Sequence, residues 1–261
     1  MSKIEKMCNV LGLNPMTSVR LIRQLPRYYR EYSRFKAQLK SSGSEFQLGN
    51  IRPMLNETVC ESGNAKGVYF NQDLSVAQRI FENNPSKHVD VGSRIDGFVA
   101  HVASFRDIEV LDIRPLSSCI KHVVFRQLDL MHELPKEFVE YTDSLSCLHT
   151  LEHFGLGRYG DAIDANGHVQ GFENLSRLLK RGGRFYLSVP LGELRVEFNA
   201  HRVFSLEYLL KWVEATYRLE RFTYVDDEGD LHENVTLTPS LILNNCSCHY
   251  GCAILELTKV K

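Results

Sequence analysis

Hydrophobic residues recur with two different periods along the chain. Up to about residue 85 the period is helical, as in the segment from Val19 to Leu25, and a basic, tyrosine-rich run continues to Lys40. A short helix is predicted at 75–83, because Asn84-Pro85 follows and the residue before a proline disfavours helix. Residues 1–84 are therefore predicted to form a helical N-terminal arm.

From His88 onward, short apolar segments alternate with segments of helical period. The predicted strands are 88–92, 109–113, 122–129, 144–149, 183–189, 217–225 and 252–260. The predicted helices are 95–105, 135–141, 169–180 and 205–215. Such alternation is typical of an α/β fold with a doubly wound, parallel, Rossmann-like sheet. The last two strands have no clear helix between them, so an antiparallel hairpin is predicted at one edge of a domain spanning residues 85–261.

The 261-residue chain has a formal net charge of −1, from 31 Lys and Arg against 32 Asp and Glu. This balance argues against a globally basic nucleic-acid-binding protein, and no nucleic-acid partner is expected. The charges are unevenly placed, because residues 1–40 hold nine basic and two acidic residues and the remainder holds 22 and 30. A basic, tyrosine-rich arm suits a nucleic acid or a membrane surface, but packing on the acidic domain or on a second copy is favoured. The arm is thus a candidate contact in a homodimer.

The seven cysteines are an odd number, and Cys8, Cys60, Cys119 and Cys147 are scattered along the chain. Isolated cysteines in apolar segments are typical of buried thiols in a reducing compartment. The first residues lack the apolar run of a signal peptide, and no segment reaches the roughly 20 apolar residues of a membrane span. We therefore expect a cytoplasmic protein without a membrane span.

Several predicted strands are followed by polar residues at their carboxyl ends, which is where ligands bind in open α/β sheets. The first strand leads into Asp90-Val91-Gly92-Ser93, with Gly97 shortly after, and a glycine there lets the backbone approach a ligand. Asp112 ends the second strand, where a carboxylate can accept two hydrogen bonds from a ribose diol. Asp129 ends the third strand and can accept from the exocyclic amine of adenine.

Two further segments complete a family pattern. Leu151-Glu152-His153 follows the fourth strand, and Leu179-Lys180-Arg181-Gly182-Gly183 precedes the fifth. Together with the glycine turn and the two acids, these segments resemble the class I S-adenosylmethionine-dependent methyltransferases over residues 85–261. The resemblance implies that S-adenosylmethionine is the cofactor. The predicted cofactor-binding residues are Asp90, Val91, Gly92, Ser93, Gly97, Asp112, Ile113, Asp129, Leu130 and His149.

The run HVDVGSRIDGF at 88–98, with Asp112-Ile-Arg-Pro115 behind it, is similar to one function-unassigned, methyltransferase-like family associated with bacterial surface-glycan genes. That similarity implies an acceptor that is a sugar, a nucleotide-sugar or another glycan-linked small molecule. One feature departs from the usual acid-x-Gly-x-Gly-x-Gly turn, because Arg94 and Asp96 replace two glycines. Either these side chains contact the methionine end of the cofactor, or they bond each other or the first amides of the helix.

Methyl transfer to an oxygen or nitrogen acceptor usually needs a base that removes the acceptor's proton. His153, just past the fourth strand, and His201, in the loop after the fifth, are the candidate bases because histidine accepts a proton near neutral pH. Either histidine could instead be a helix cap or a packing residue. The predicted substrate-binding residues are Glu152, Arg158, Tyr159 and Asp161. Three of these lie in the long connection 155–168, which has the length of a lid or specificity loop.

Three other motifs point to metal sites, and none is preferred. His149-Thr-Leu-Glu152-His153 matches the inverted zinc-peptidase pattern of a zinc-dependent hydrolase, but the strand pattern of this segment disfavours a helix carrying both histidines. Cys246-Ser-Cys248-His249-Tyr-Gly-Cys252 offers four soft ligands without a second ligand pair nearby. The run DAIDAN at 161–166 resembles half of a calcium loop but lacks its terminal glutamate.

A protein of a different class remains open as an alternative. A non-catalytic module could keep the methyltransferase fold while serving in a biosynthetic assembly. The altered glycine turn is the feature that favours this interpretation. Binding of the cofactor and turnover of an acceptor discriminate between the two.

Overall fold

The structure is a computed structural model that describes residues 15–55 and 65–261, with side chains from residue 21 onward in the first range. Cys8 and Cys60, and the parts of the predicted arm at 1–14 and 56–64, lie outside the described residues. The chain divides into two compact units, Met1–Asn64 and Ala65–Lys261.

The first unit contains helix α1, Pro15–Ser41, which confirms the helix predicted in the basic run. Its sequence places apolar and basic residues on different faces, and Ile22, Tyr29 and Phe35 are exposed. Residues 42–55 form neither helix nor strand.

The second unit is built on an eight-stranded mixed sheet. Its strands in chain order are β1 His88–Val91, β2 Ile108–Asp112, β3 Val123–Gln127, β4 Thr142–Leu148, β5 Leu179–Leu191, β8 Tyr217–Val225, β9 Leu231–His232 and β10 Gly251–Lys259. A separate hairpin consists of β6 Arg195–Glu197 and β7 His201–Val203. The sheet order is β3-β2-β1-β4-β5-β10-β8-β9.

The neighbouring pairs among the first five strands are parallel, and the remainder of the sheet is antiparallel. The predicted doubly wound α/β fold is therefore confirmed. The antiparallel pair of the last two long strands is also present, but β10 lies between β5 and β8, and the short strand β9 forms the edge.

Helices cover both faces of the sheet. They are α2 Val68–Asn83, α3 Ala100–Ala103 after a π-helical turn at Ile95–Val99, α4 Gly167–Leu178, α5 Leu206–Glu214 and α6 Pro239–Leu243. On one face, Val76 and Ile80 of α2 pack with Phe98 in a core cluster, while on the other, Phe172 and Leu209 belong to a larger cluster. Helix α2 therefore lies within the second unit, whereas the sequence placed the end of the arm at residue 84.

Several predicted helices differ in extent from the structure, and the one predicted at 75–83 begins earlier, at Val68. The helix predicted at 135–141 is a 3₁₀ turn, Lys136–Phe138, because the backbone is already extended at Val139. The helix predicted to reach residue 180 ends at Leu178, where Leu179 is already buried in β5. No described helix combines the length and the apolar character needed to cross a bilayer.

Candidate active site

The carboxyl ends of the parallel strands surround a cavity of about 530 Å³, called here the first chamber. The predicted cofactor residues that line it are Val91, Gly92, Asp112, Ile113, Asp129, Leu130 and His149. These residues come from the ends of four strands that are adjacent in the sheet, as expected for a ligand site in an open α/β sheet. The topology thus brings most of the predicted cofactor residues together.

Gly92 forms the turn at the end of β1. Its φ of +74° lies in the left-handed region, and its amide donates to the carbonyl of Leu111 at 2.9 Å. A Cβ atom at this position would lie 2.3 Å from Cγ2 of Thr150, in the turn after β4. Glycine is therefore required both for the backbone conformation and for the close approach of the two turns.

Asp90 stabilises this turn through hydrogen bonds and does not line the cavity. Its buried carboxylate accepts hydrogen bonds from the Ser93 amide at 3.0 Å, the Ser93 hydroxyl at 2.8 Å and the Ser146 hydroxyl at 2.6 Å. His88 Nε2 lies 3.1 Å from the same Ser146 oxygen, which extends the network along the strands. Burial raises the pKa of Asp90 to about 6, although the hydrogen bonds from Ser146 and Ser93 oppose this shift. The structure thus assigns Asp90 a supporting position behind the predicted cofactor site.

Asp112, at the end of β2, faces the first chamber together with an arginine that the sequence did not single out. Arg114 donates to both carboxylate oxygens of Asp112, from Nε at 3.0 Å and from Nη2 at 2.6 Å. A ribose diol would share this carboxylate with Arg114, since each carboxylate oxygen has more than one lone pair. The only sequence signal for Arg114 is its position two residues after the strand-end acid.

Asp129 and Leu130 line the same chamber after β3. The Asp129 carboxylate accepts from the Met131 amide at 2.8 Å and lies 2.8 Å from His132 Nδ1. The carbonyl of Leu130 accepts from Nδ2 of Asn174 in α4, which fixes the turn against the body of the protein. Both residues are therefore held where they line the cavity.

His149 and Glu152 form a buried pair after β4. Nδ1 of His149 lies 2.8 Å from Oε1 of Glu152, and His149 has a φ of +49°, unusual for a residue other than glycine. Burial by itself lowers the pKa of His149, but the Cys252 sulfur and the Glu152 carboxylate outweigh it and hold this pKa well above its usual value. His149 Nε2 and Glu152 Oε2 are buried without a hydrogen-bond partner among the described residues. Glu152, predicted to bind substrate, thus lies beneath the cavity wall as the partner of His149.

His153 and His201 occupy different positions relative to the cavity. His153 lines it, and its Nδ1 donates to the carbonyl of Ala200 at 2.7 Å, so Nε2 keeps a lone pair. Burial lowers the pKa of His153, with the Glu152 carboxylate acting in the opposite direction, so the imidazole is neutral near pH 7. His201 begins β7 and does not line the chamber. Its Nε2 lies 3.4 Å from Oε2 of Glu197, without hydrogen-bond alignment.

Asp161 folds the loop that carries Arg158 and Tyr159. One oxygen of Asp161 accepts from the amides of Gly155 at 2.9 Å and Gly157 at 3.0 Å, and the other from the amide of Tyr159 at 3.1 Å. Tyr159 lines the first chamber, and its ring lies 5.4 Å from that of His153. Asp161 also lines the chamber, but its carboxylate oxygens bond the loop's own backbone.

A second chamber of about 860 Å³ adjoins the first, and both share Gly92, Arg114, His149, His153 and Tyr159. The residues specific to this chamber include Tyr69, Gln72, Asp73, Ser93, Arg94 and Arg158.

Three of these residues, Tyr69, Gln72 and Asp73, lie on α2, which the sequence had assigned to the arm. A Cβ on Gly97 would lie 2.6 Å from Oδ2 of Asp73, so Gly97 lets α2 approach the turn without lining the cavity itself. The periodicity of the sequence predicts a helix here, but it does not predict that this helix lies beside the carboxyl ends of the strands.

Arg94 and Asp96, the two departures from the glycine pattern, bond each other. Nη2 of Arg94 lies 3.0 Å from Oδ2 of Asp96, and both side chains are exposed. The interpretation in which the two side chains pair is therefore confirmed. Arg94 nevertheless contributes to the wall of the second chamber.

The geometry does not match the rival motifs. The zinc-peptidase pattern needs both histidines on one face of a helix, whereas His149 follows strand β4 outside any helix and His153 lies in a 3₁₀ turn. Cys246, Cys248 and Cys252 are buried, and burial raises the pKa of Cys246 to about 11 and that of Cys248 to about 12. Across 15–55 and 65–261, no three His, Cys, Asp or Glu side chains form a group that could hold a metal ion.

Comparison with known sequences leaves the activity open. Residues 118–230 match the family described as "Caenorhabditis protein of unknown function, DUF268". This segment covers β3 to the end of β8 and thus includes Asp129, His153 and Arg158, but not Gly92 or Asp112. No curated protein matches the sequence.

Comparison with solved structures gives similarity of fold at low sequence identity. The [4+2]-cyclase SpnF has a TM-score of 0.50 and 14% identity, covering 76% of this chain and 86% of its own. This similarity agrees with the Rossmann-like fold described above. A Burkholderia thailandensis 1,6-didemethyltoxoflavin-N1-methyltransferase has a TM-score of 0.49 and 12% identity, covering 72% of this chain and 79% of its own. The N-methyltransferase NodS from Bradyrhizobium japonicum WM9 has a TM-score of 0.48 and 11% identity, covering 75% of this chain and 89% of its own.

Proposed function

We propose that this protein is an S-adenosylmethionine-dependent methyltransferase acting on a small polar acceptor. The observation that carries the proposal is the convergence of the Gly92 turn, Asp112 and Asp129 on one cavity. These groups come from three separate strands, yet they offer close backbone approach, an acceptor for a diol and an acceptor for an amine.

The cavity walls suit the parts of the proposed cofactor. Asp112 would bind the ribose and Asp129 the adenine amine, with Ile113 and Leu130 as apolar contacts for the base. Asp73 adds a buried carboxylate in the second chamber, and it suits the ammonium group of the methionine part. When bound, the cofactor supplies the activated methyl group, and the protein's part is to position the acceptor and exclude water.

His153 is the proposed base for the acceptor's proton. Its Nδ1–H is engaged by the Ala200 carbonyl, which directs the basic character to Nε2. Its lowered pKa keeps Nε2 unprotonated at neutral pH, as a general base requires. His201 is the weaker candidate because it does not line the chamber.

For the acceptor we propose a sugar, a nucleotide-sugar or another glycan-linked metabolite of surface polysaccharide biosynthesis. The support is the resemblance of the 88–98 run together with the polar, aromatic wall formed by Arg114, Arg158 and Tyr159. Aromatic rings with neighbouring hydrogen-bond donors suit polyhydroxylated ligands.

Calorimetric titration of the full chain with S-adenosylhomocysteine tests the proposal. We expect binding below millimolar concentration, with affinity reduced at least about tenfold in Asp112→Asn because a bidentate acceptor is lost. Asp107→Asn is the matched control, since Asp107 is exposed and, among the described residues, its carboxylate bonds only His122, away from the cavity. If the parent chain shows no binding, or Asp112→Asn binds as tightly as the parent, the proposal fails.

The second candidate function is a non-catalytic module that keeps the fold. The Arg94–Asp96 pair favours it, because two glycines of the usual turn are replaced by bulky side chains. Tight binding of S-adenosylhomocysteine without methyl transfer to any of a panel of sugars and nucleotide-sugars would favour the module.

A further inference from the structure

Three guanidinium groups line the second chamber, but only two of them are balanced by carboxylates. Arg94 pairs with Asp96 at 3.0 Å, and Arg114 pairs with Asp112 at 2.6 Å. The third is Arg158, on the loop after β4. Within the described parts of the chain, no carboxylate forms an ion pair with Arg158.

The contacts of Arg158 leave most of its donors available. Nη1 donates to the carbonyl of Ala200 at 3.0 Å and lies 3.4 Å from Nδ1 of His153. A guanidinium has five N–H donors in a planar fork, which matches the geometry of carboxylate and phosphate oxygens. Arg158 can therefore bind an oxyanion while keeping its contact with Ala200.

A second cation lies near Arg158. The guanidinium carbon of Arg158 is 5.3 Å from the ring centre of Tyr159, and that of Arg114 is 4.6 Å from the same centre. Two positive groups thus flank one aromatic ring at the junction of the two chambers. Because Arg114 is paired with Asp112, Arg158 is the one of these two groups whose charge no ion pair among the described residues offsets, and this charge favours a negative ligand group.

The loop is already folded around these groups. Asp161 binds three backbone amides of the loop, at Gly155, Gly157 and Tyr159. Gly155 and Gly157 have φ values of +78° and +68°, which suit glycine and allow this compact turn. A ligand that binds Arg158 consequently meets a preorganised loop and loses less affinity to ordering.

We propose that the methyl acceptor carries a compact oxyanion, either a phosphate or a carboxylate group, which binds Arg158 in the second chamber. This inference rests on the proposed methyltransferase function. Arg158 is a specificity-determining residue in this scheme. Because Arg158 contacts His153, an acceptor anchored here presents its remaining polar groups beside the proposed base.

Titration calorimetry with inorganic phosphate and, separately, with acetate tests the inference. Each probe is added to the full chain, both alone and saturated with S-adenosylhomocysteine. We expect at least one probe to bind, and Arg158→Gln to weaken that binding about tenfold or more. Arg158→Lys keeps the charge but loses the fork, so an intermediate loss is expected.

Arg218→Gln is the matched control, because Arg218 is also exposed, pairs with Glu220 on β8 and lies outside both chambers. Binding of phosphate alone supports a phosphorylated acceptor, and binding of acetate alone supports a carboxylated one. Absence of binding by both probes, or equal binding by Arg158→Gln and the parent, overturns the inference. Failure of S-adenosylhomocysteine to bind refutes the proposed function separately, because the probes alone still report on Arg158.

Discussion

His153 is the residue on which the proposed chemistry depends most directly. Its imidazole is held by the Ala200 carbonyl on one side and lies near two charges of opposite sign. Burial has the largest effect and lowers the pKa of His153. The Glu152 carboxylate raises this pKa, and the Arg158 guanidinium lowers it. The protonation state of this one side chain therefore depends on its burial and on charged residues close to it in the sequence.

The NMR titration of His153 tests this dependence. We expect a midpoint below the usual histidine value near 6.5, because burial disfavours the imidazolium. Arg158→Gln removes a positive neighbour, so the midpoint rises, and Glu152→Gln removes a negative one, so it falls. A base with a lowered pKa is active above that pKa and loses activity as the pH falls through it. A midpoint that is unchanged in both variants would contradict the assigned geometry.

Asp90 and Asp161 show how similar acids take different positions. Both were predicted to contact ligands, and both accept hydrogen bonds from nearby backbone amides and so hold turns in place. Asp112 and Asp129 also accept from a backbone amide two residues further on, but both line the cavity, which Asp90 does not. The sequence does not show whether such an acid lines the cavity or holds a turn. That outcome depends on which hydrogen-bond donors reach its carboxylate in the folded protein.

At the scale of elements, the site depends on two turns that touch. The turn after β1 contains Gly92, and the turn after β4 contains Thr150. Adjacent parallel strands place these turns side by side, and Gly92 lines both chambers while Thr150 lines the first.

Gly92→Ala tests the contact between these turns. We expect a loss of about 2–3 kcal/mol in the free energy of unfolding, since the new methyl group meets Thr150 and alanine disfavours positive φ. Gly182→Ala is the control, because Gly182 has a φ of +79° but nothing within 4 Å of its added Cβ. The free energy of unfolding of Gly182→Ala should fall by only about 1 kcal/mol.

Chemical denaturation and calorimetry with S-adenosylhomocysteine measure both effects. Binding should weaken in Gly92→Ala but not in Gly182→Ala. Adding Thr150→Ser to Gly92→Ala removes the nearest methyl group and should recover part of the stability. Equal losses in the two glycine variants would show that the turn contact is unimportant.

At the scale of the whole molecule, the charge is divided between the two ends of the chain. The first 40 residues include nine basic and two acidic residues, and the remaining residues include 22 basic and 30 acidic ones. Both core clusters consist of residues from 65–261, so the second unit has the apolar interior needed for independent folding. The exposed apolar residues of α1, Ile22, Tyr29 and Phe35, are available for a contact with another copy.

A fragment of residues 65–261 tests the role of the arm. We expect the fragment to unfold cooperatively with a Tm within about 4 °C of the full chain, equivalent to roughly 1 kcal/mol. Light scattering should give a dimer for the full chain of 29.9 kDa and a monomer for the fragment. A monomeric full chain, or a fragment that remains dimeric, would rule out a homodimer through the arm.

The sequence by itself determined the order of the long strands and main helices, the acids at the ends of β2 and β3, and the glycine turn after β1, but not the short strands β6, β7 and β9 or helix α6. These features are local, because side-chain period sets the type of each element and the chain direction sets which end carries the polar residues. The lengths of some helices were misjudged where burial, rather than propensity, ended them, as at Leu178.

Only the tertiary structure decided which distant residues share the cavity. Helix α2 contributes Gln72, whose side chain bonds Ser188 across 116 positions of sequence, and Asp73, which lies against Gly97. It also decided that Glu152 is buried as a partner of His149 and that Arg158 lacks a carboxylate partner among the described residues. Such contacts depend on how the sheet orders its strands and how helices pack on it, and no local pattern in the sequence encodes them directly.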